Sequence, residues 1–341
     1  MIVKKKTKVL LYFAGAVCLA VLISKMVSPP VYYINGFAQG GVYNIVLRTW
    51  QEKKTVGLAK EIADMLEEFE NSVSLFREDS RISRINRNET DELDQYMIDC
   101  IEASQAASIA SNGLFDITVK PLTAAFGFAE REAYSNPNID SLLQFVGFRK
   151  ISIVGNRLVK ERPEVQIDLN ASGQGYSADL MARILDRRKI RNYLVSIGGG
   201  ELYARGTNSL GKPWRIGIDA PFENFIPGQS PTDTLHISNK GVATSGNYRK
   251  FRIDENGRRY VHTINPITGD ASESNVLSAT VIADDAITAD IYGTVLMLLG
   301  LEDAKKFLES RDDLMGYLIY DSLGIYKTYF SPELVPKILK R

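Results

Sequence analysis

The sequence is poor in the side chains that build disulfide scaffolds and zinc sites. Its 341 residues include two cysteines and two histidines, which excludes a disulfide-bonded scaffold and argues against structural zinc. Neither charge is in excess, with 41 basic and 41 acidic residues, and 45% of the residues are hydrophobic, which excludes collagen and disordered chains. Such a chain buries a large core, as one large domain or two closely packed ones.

The common phosphate-binding loops are missing as well. No GxxxxGK[ST] segment is present, and the glycine-rich residues 172–175 and 198–200 do not fit GxGxxG with an acidic residue downstream. Residues 1–28 hold five of the 41 basic groups and no acid, which leaves 36 basic against 41 acidic groups in the remainder. This mildly acidic body argues against nucleic acid as the main partner, and any metal is expected to be a hard cation held by oxygen.

The N-terminus has the pattern of a targeting segment. Four lysines within residues 4–8 precede the apolar run 9–23, and Lys25 and Pro29 follow it. A basic flank before an apolar run predicts insertion with the N-terminus in the cytoplasm. A retained anchor competes with a cleaved signal peptide, and the lack of a small-x-small site before Pro29 favours the anchor. We therefore assign residues 1–30 to this segment and expect residues 31–341 to form one extracytoplasmic body.

The body alternates helical and strand-like patterns without regular βαβ repetition. We predict helices over residues 55–70, 91–111, 177–185 and 287–299, and a tight turn at residues 172–176 after a strand. An entry strand is predicted within residues 31–50, and a strand-like stretch with a turn at Gly155 over residues 150–168. Further strands are predicted over residues 193–197, 214–218, 235–237, 260–264, 279–283, 315–320 and 325–330. Residues 220–233 read as a surface loop. This order favours an α+β fold with a largely antiparallel sheet.

One pair of side chains suggests a metal site. Asp290 and Thr294 are four residues apart in a predicted helix, so both project from one face. A carboxylate and a hydroxyl in that arrangement suit one Mg²⁺, completed by carbonyls, water and substrate phosphates. The alternative interpretation makes Asp290 a helix-start charge and Thr294 a core hydroxyl.

Other candidates also have structural interpretations. Asp168 is suited to capping the turn that follows it, and His262 to bonding a backbone carbonyl from its strand. Phe76 and Phe115, taken alone, are typical of core aromatics.

Seven segments, taken together and in order, resemble the FAD:protein FMN transferase (ApbE) family over nearly the whole body, from about residue 38 to residue 330. The segments are residues 74–86 (SLFREDSRISRIN), 113–122 (GLFDITVKPL), 168–179 (DLNASGQGYSAD), 196–200 (SIGGG), 244–248 (TSGNY), 262–269 (HTINPITG) and 289–300 (ADIYGTVLMLLG). The resemblance implies a T-fold-like α+β body that binds FAD and Mg²⁺. Enzymes of this family split the FAD pyrophosphate, attach FMN to a Ser or Thr hydroxyl of a partner protein and release AMP. Their acceptors are membrane or extracytoplasmic redox proteins.

The resemblance also assigns roles to individual residues. It implies Mg²⁺ bound by Asp290, Thr294 and the backbone carbonyl of Ala171. Phe76 takes the place of an aromatic that stacks on a ring, and His262 is our hypothetical acceptor of the hydroxyl proton, since a free imidazole titrates near neutral pH. The flavin and nucleotide site is implied to be lined further by Leu114, Phe115, Asp116, Asp168, Gln174 and Ile264.

The chain departs from the family pattern at five positions. These are Gln39 and Gly41 in an altered AMGT segment, Gln174 in place of Lys or Glu, Asn265 in place of Asp, and Gly293 in place of an acid. The assigned metal side chains are retained, which favours an active enzyme. The alternatives are an FAD pyrophosphatase that gives FMN and AMP, and a non-catalytic flavin-binding protein.

Overall fold

A computed structural model describes residues 28–128, 137–219, 233–246, 251–253, 259–271 and 274–339. The predicted membrane run at residues 9–23 and nearly all of the predicted loop 220–233 lie outside these residues. Among the described residues, no helix has the length and apolar character needed to cross a membrane.

The fold is built around one large antiparallel sheet. The strands are β1 Val31–Ala38, β2 Gly41–Arg48, β3 Ile151–Val154, β4 Arg157–Lys160, β5 Asn192–Ile197, β6 Glu201–Arg205, β7 Trp214–Ile218, β8 Asp233–Ile237, β9 Lys240–Gly246, β10 Phe251–Ile253, β11 Arg259–Val261, β12 Val276–Ala283, β13 Met315–Ser322, β14 Ile325–Phe330 and β15 Ile338–Leu339. Eight of them form the sheet in the order β1-β2-β5-β6-β9-β12-β13-β14, with every neighbouring pair antiparallel. Smaller sheets have the order β15-β8-β7, β3-β4 and β10-β11. The predicted α+β class with a largely antiparallel sheet is confirmed.

Helices cover one face of the large sheet. They are α1 Leu58–Val73, α2 Arg81–Asn86, α3 Gln95–Ala110, α4 Lys120–Ala125, α5 Ile139–Leu143, α6 Asn170–Arg187, α7 Ala286–Leu299 and α8 Leu301–Glu309, with short 3₁₀ turns at Glu52–Lys54, Ile117–Val119, Phe148–Lys150 and Pro332–Lys337. The main core joins α3, α6 and α7 to β12, and a second core joins α1 and α6 to β2 and β5. On the opposite face, β7 and β8 bury Trp214, Ile216 and Leu235 against the large sheet. The body is therefore layered as helices, large sheet and small sheet.

Several predicted elements agree with the structure because their apolar spacing decided them. The predicted helix 55–70 corresponds to α1, whose residues Leu58, Ile62, Leu66 and Phe69 are all buried at 3.6-residue spacing. The predicted helix 287–299 corresponds to α7, and the final predicted hairpin to β13 and β14.

Four predictions were wrong in detail. The strand predicted over residues 150–168 is the short hairpin of β3 and β4, which ends at Lys160 and leaves residues 161–169 without strand structure. The entry strand over residues 31–50 is a hairpin of β1 and β2, since Gln39 and Gly40 both have positive φ. The tight turn predicted at residues 172–176 lies inside α6, where Gly175 serves helix packing and not a turn. The strand predicted at 260–264 ends at Val261, which leaves His262 in the loop after it.

Candidate active site

The site is organised by a close crossing of α6 and α7 at Gly175. A Cβ atom at this position would lie 2.7 Å from Cβ of Asp290 and would clash with the carbonyl oxygen of Ala286. The bare glycine lets its N–H donate to Oδ2 of Asp290 at 2.9 Å. Asp290 is 7% exposed, so this contact holds a nearly buried carboxylate at the start of α6.

The first turn of α7 is held by two further carboxylates. Asp179 of α6 accepts the N–H groups of Ala286 and Ile287, each at 2.9 Å, and Asp285 caps the helix by accepting the N–H of Thr288 at 2.9 Å. Burial raises the pKa of Asp179 to about 7, although both backbone donors oppose that shift. Asp179 therefore fixes where α7 begins relative to α6. This contact also sets the position of Asp290, which lies one turn further along α7.

The donor set fits a hard cation. Ala171 lies four residues before Gly175 in α6, so its carbonyl is directed at the same N–H that Asp290 accepts. Thr294, partly buried, lies one turn after Asp290 on α7. Carboxylate, hydroxyl and carbonyl oxygens are ligands that Mg²⁺ takes. Within the described ranges no cluster of three or more His, Cys, Asp or Glu side chains could hold a metal, so this mixed set with substrate oxygens is the relevant candidate.

The altered segment at Gln39 and Gly41 lies against this crossing. Gln39 donates its side-chain amide to the hydroxyl of Ser177 in α6, and its backbone N–H to Glu70 of α1. A Cβ at Gly41 would lie 3.1 Å from Cα of Gly198, and one at Gly198 would lie 2.5 Å from Oε1 of Gln174. The β1–β2 turn, the β5–β6 turn and the start of α6 thus converge.

Strands β9 and β12 of the large sheet border the same helix crossing. A Cβ at Gly200 would lie 3.1 Å from the carbonyl oxygen of Thr244 in β9, and the hydroxyls of Thr244 and Thr280 lie 2.9 Å apart. A Cβ at Gly293 would lie 2.7 Å from Oγ of Ser245. A side chain at position 293 would therefore require the Ser245 hydroxyl to move aside, so the bare glycine fits the packing against β9.

Asp168 is tied to three other segments. Its backbone N–H donates to the carbonyl of Ile117 at 2.7 Å, and its carboxylate accepts the N–H of Asn170 at 2.8 Å and the hydroxyl of Thr123 at 3.3 Å. Asn86 bonds both backbone groups of Ile167 at 2.8 Å. The interpretation of Asp168 as the cap of a turn at residues 172–176 was wrong, because those residues are helical; its carboxylate accepts the N–H of Asn170, the first residue of α6, while Leu169 is the N-cap position.

The aromatic candidates separate by exposure. Phe115 is 3% exposed and packs in the main core, which confirms its structural interpretation. Phe76 is 75% exposed, so its interpretation as a core aromatic was wrong. The exposure of Leu114 lies between those of the two aromatic residues, since its side chain is partly buried. Asp116 is nearly buried, and its carboxylate accepts both the N–H and the hydroxyl of Thr118. Burial raises the pKa of Asp116.

The His262 loop rests on α4. Ile264 is buried with Leu122 of α4 and Val146, and the His262 ring meets the Phe128 ring edge-on with centroids 6.4 Å apart. Since Thr123 of α4 bonds Asp168, the helix links the His262 loop to the start of α6.

Sequence reasoning assigned no role to Asn86, Thr123 or Asp179. Asn86 and Asp179 lie inside segments that carry the family resemblance, and their place in those segments was the signal that could have identified them. For Thr123 no sequence signal existed, because its contact with Asp168 spans 45 residues.

Comparison with known proteins identifies the family. The profile described as the ApbE family matches residues 40–319. A relative from Escherichia coli K12, named FAD:protein FMN transferase, is 32% identical over 89% of this chain and 88% of its own length. One of the same name from Salmonella typhimurium is 30% identical over 94% of this chain and 96% of its own length.

Solved structures agree over the same length. The flavin transferase ApbE from Vibrio cholerae superposes with a TM-score of 0.79 at 29% identity, covering 91% of this chain and 99% of that one. The apo form of the flavinyl transferase ApbE from Pseudomonas stutzeri has a TM-score of 0.79 at 28% identity, covering 90% and 98%. The match over most of both chains means that this protein belongs to the ApbE family of FAD:protein FMN transferases.

Proposed function

We propose that this chain transfers FMN from FAD to a Ser or Thr hydroxyl of a partner protein and releases AMP. The observation that carries the proposal is the crossing at Gly175, where the backbone of α6 bonds the Asp290 carboxylate. Two further family segments, residues 196–200 and 244–248, and the β1–β2 turn lie beside this crossing. Phosphoryl transfer needs fixed groups that neutralise and orient phosphate oxygens, and this crossing supplies a rigid frame for them.

Asp290, Thr294 and the carbonyl of Ala171 are the proposed holders of Mg²⁺. When bound, this cation would neutralise charge on the pyrophosphate and on the departing AMP. The protein's own contribution is positioning: Asp179 holds α7 and Gly175 holds the carboxylate, so little reorganisation accompanies binding.

The bond changes divide between the two sides of the site. The oxygen of the acceptor hydroxyl bonds to the phosphorus of the FMN half, and the bond from that phosphorus to the AMP oxygen breaks. His262, in a partly buried loop position, takes the hydroxyl proton as general base. Phe76 is exposed and available to stack on a ring of FAD, while Asp116, Asp168, Leu114, Gln174 and Ile264 shape the remaining lining.

The proposed setting is the outer face of a membrane. The basic and apolar pattern of residues 1–30 supports a retained anchor with the body on the extracytoplasmic side. The partner would then be a membrane or extracytoplasmic redox protein that carries the acceptor hydroxyl.

One assay tests the activity. The full chain is incubated with FAD, Mg²⁺ and a candidate acceptor, and the flavin is followed by gel fluorescence and chromatography. Flavin bound covalently to the acceptor, with AMP in equal amount, is expected, and a chelator should abolish both. Free FMN with AMP would indicate hydrolysis to water instead, and intact FAD that stays bound would indicate a binding protein; either result overturns the transfer.

A further inference from the structure

The base of the β1–β2 hairpin has a distinct surface. The described chain begins at Ser28, whose hydroxyl donates to the carbonyl of Ser209, and the carbonyl of Pro30 accepts the N–H of Thr49. The described chain therefore begins between the loop that holds Ser209 and the end of β2. An exposed apolar side chain follows Ser209 and another follows Thr49: Leu210 is 77% exposed and Trp50 is 61% exposed.

The loop that presents Leu210 is rigid. Asn208 accepts the N–H groups of Leu210 and Lys212 with its side-chain oxygen, at 2.9 and 3.2 Å, and donates its side-chain amide to the carbonyl of Pro213 at 2.8 Å. Arg48, at the end of β2, donates to the carbonyls of Thr207 and Asn208. A leucine held in this way at a loop tip loses little conformational freedom when it becomes buried.

Charge favours an anionic surface at this base. Lys53 and Lys212 are exposed, and Lys54 is partly exposed, while Glu52 is the acid among residues 50–56. Tryptophan and leucine beside lysines are the residue types that lie at the headgroup level of a bilayer.

We propose that this base, formed by Trp50, Leu210 and the neighbouring lysines, rests on the lipid headgroups of the membrane that holds the apolar run. The inference rests on the proposed membrane setting and is independent of the transfer chemistry. The proposed partner is a bilayer because the described chain begins at this base, a few residues after the apolar run.

The orientation sets the height of the active site. The β1–β2 turn at Gln39 contacts α6 at the site, and eight residues of β1 separate that turn from the base, which is about 25 Å at the usual rise per strand residue. Helix α1 also runs toward the turn: from Leu58, its first residue, to Glu70, which accepts the backbone N–H of Gln39, the helical rise covers about 18 Å. In the proposed orientation, the Gln39 end of the site is therefore held about 25 Å from the bilayer. An acceptor hydroxyl would have to reach that height.

The two tryptophans of the chain allow a direct test. Trp214 is 6% exposed in the small sheet, with its ring N–H bonded to the carbonyl of Arg205 at 2.9 Å, so it serves as the buried reference. The full chain is reconstituted in vesicles of phosphatidylethanolamine and phosphatidylglycerol, with or without bromine on shallow acyl carbons. The probe is the loss of tryptophan emission caused by bromine.

Three variants separate the outcomes. In Trp214→Phe, which retains Trp50, bromine should quench emission roughly twofold, because an interfacial ring lies within reach of shallow bromines. In Trp50→Phe, which retains Trp214, emission should be nearly unchanged. A third variant combines both substitutions with Phe76→Trp, which places an equally exposed ring beside the site, and should also escape quenching. If Trp214→Phe does not fold, the difference between the natural chain and Trp50→Phe reports Trp50.

Each contrary result has one meaning. Weak quenching of Trp50 in chains that float with the vesicles overturns the orientation, as does equal quenching of the Phe76→Trp variant. Chains that do not float overturn the membrane setting and this inference with it. Loss of FMN transfer with Trp50 quenching intact would overturn the proposed chemistry and leave the orientation standing.

Discussion

The two sides of the proposed site are anchored to different extents. The aspartate side, formed by α6 and α7, belongs to the main core: Asp290 accepts the backbone N–H of Gly175, and its neighbour Ile291 is 1% exposed. The histidine side, formed by α4 and residues 262–271, rests on a small core whose buried members, among the residues that the structure describes, are Leu122, Val146, Ile264 and Ala271.

The difference indicates how the work of the site is divided. Phosphate and metal chemistry depends on groups held in place before the reaction, and the aspartate side is built that way. A small satellite core opens at lower free energy than a main core, so the histidine side is the one suited to admit a protein acceptor.

Replacing Asp290 should have the largest effect on activity. Asp290→Ala removes the sole carboxylate among the proposed metal ligands and is expected to lower the transfer rate by about 10³-fold or more. Transfer is measured at saturating FAD and at several Mg²⁺ concentrations. Asp284→Ala is the control, because Asp284 is exposed near the same helix start and pairs with Lys240. Equal activity of Asp290→Ala and Asp284→Ala would remove Asp290 from the metal site.

His262→Ala should stop transfer without preventing FAD binding. Loss of a general base typically costs about 10²- to 10⁴-fold in rate. Transfer is compared with FAD affinity from fluorescence titration. His236→Ala, at the second histidine in β8, should behave like the natural chain. Full activity of His262→Ala would exclude the imidazole from the mechanism.

Gly175→Ala should damage the helix crossing. Its new methyl group would meet Asp290 and the Ala286 carbonyl, so we expect a loss of about 1–3 kcal/mol in the free energy of unfolding together with lower activity. The matched control is Gly173→Ala in the same helix, where a Cβ would have nothing within 4 Å. That change should be neutral or stabilising by up to about 1 kcal/mol. Urea unfolding of both variants compares them directly, and similar losses would contradict the crossing.

Ile264→Ala should loosen the histidine side locally. Truncation of a buried isoleucine removes about 2 kcal/mol or more of packing, but here the loss falls on a satellite core. Hydrogen exchange of residues 259–271 should accelerate while the main core keeps its protection. Ile267→Ala in the same loop, where the side chain is 59% exposed, should change neither. Uniform loss of protection across α6 and α7 would show that both sides share one core.

The pH dependence of the free energy of unfolding should carry a contribution from Asp179. Its pKa is raised by burial to about 7, so the folded chain holds this proton more tightly than the unfolded chain does. The contribution is present below about pH 4 and is lost as the pH rises toward 7. Asp179→Asn should flatten that part of the curve, whereas Asp64→Asn, at an exposed carboxylate paired with Lys60, should not. An unchanged slope in Asp179→Asn would contradict the raised pKa.

Much of the fold was predictable because apolar spacing is a local property. The buried face of α1 repeats with the helical period, and the β3–β4 pair flanks a turn at Gly155. Local patterns failed where glycine had two possible uses. Residues 172–176 resembled a turn, yet they lie within α6 because Gly175 serves the approach of α7.

Sequence alone determined the helical spacing that puts Asp290 and Thr294 on one face, and the order of segments that marks the family, since both are written along the chain. Tertiary structure decided that Phe76 is exposed while Phe115 is buried, and that Asp290 meets a backbone N–H 115 residues away. Periodicity shows which face of an element is apolar but not which distant element covers it. Partners so far apart in the chain are chosen by the packing of the whole body.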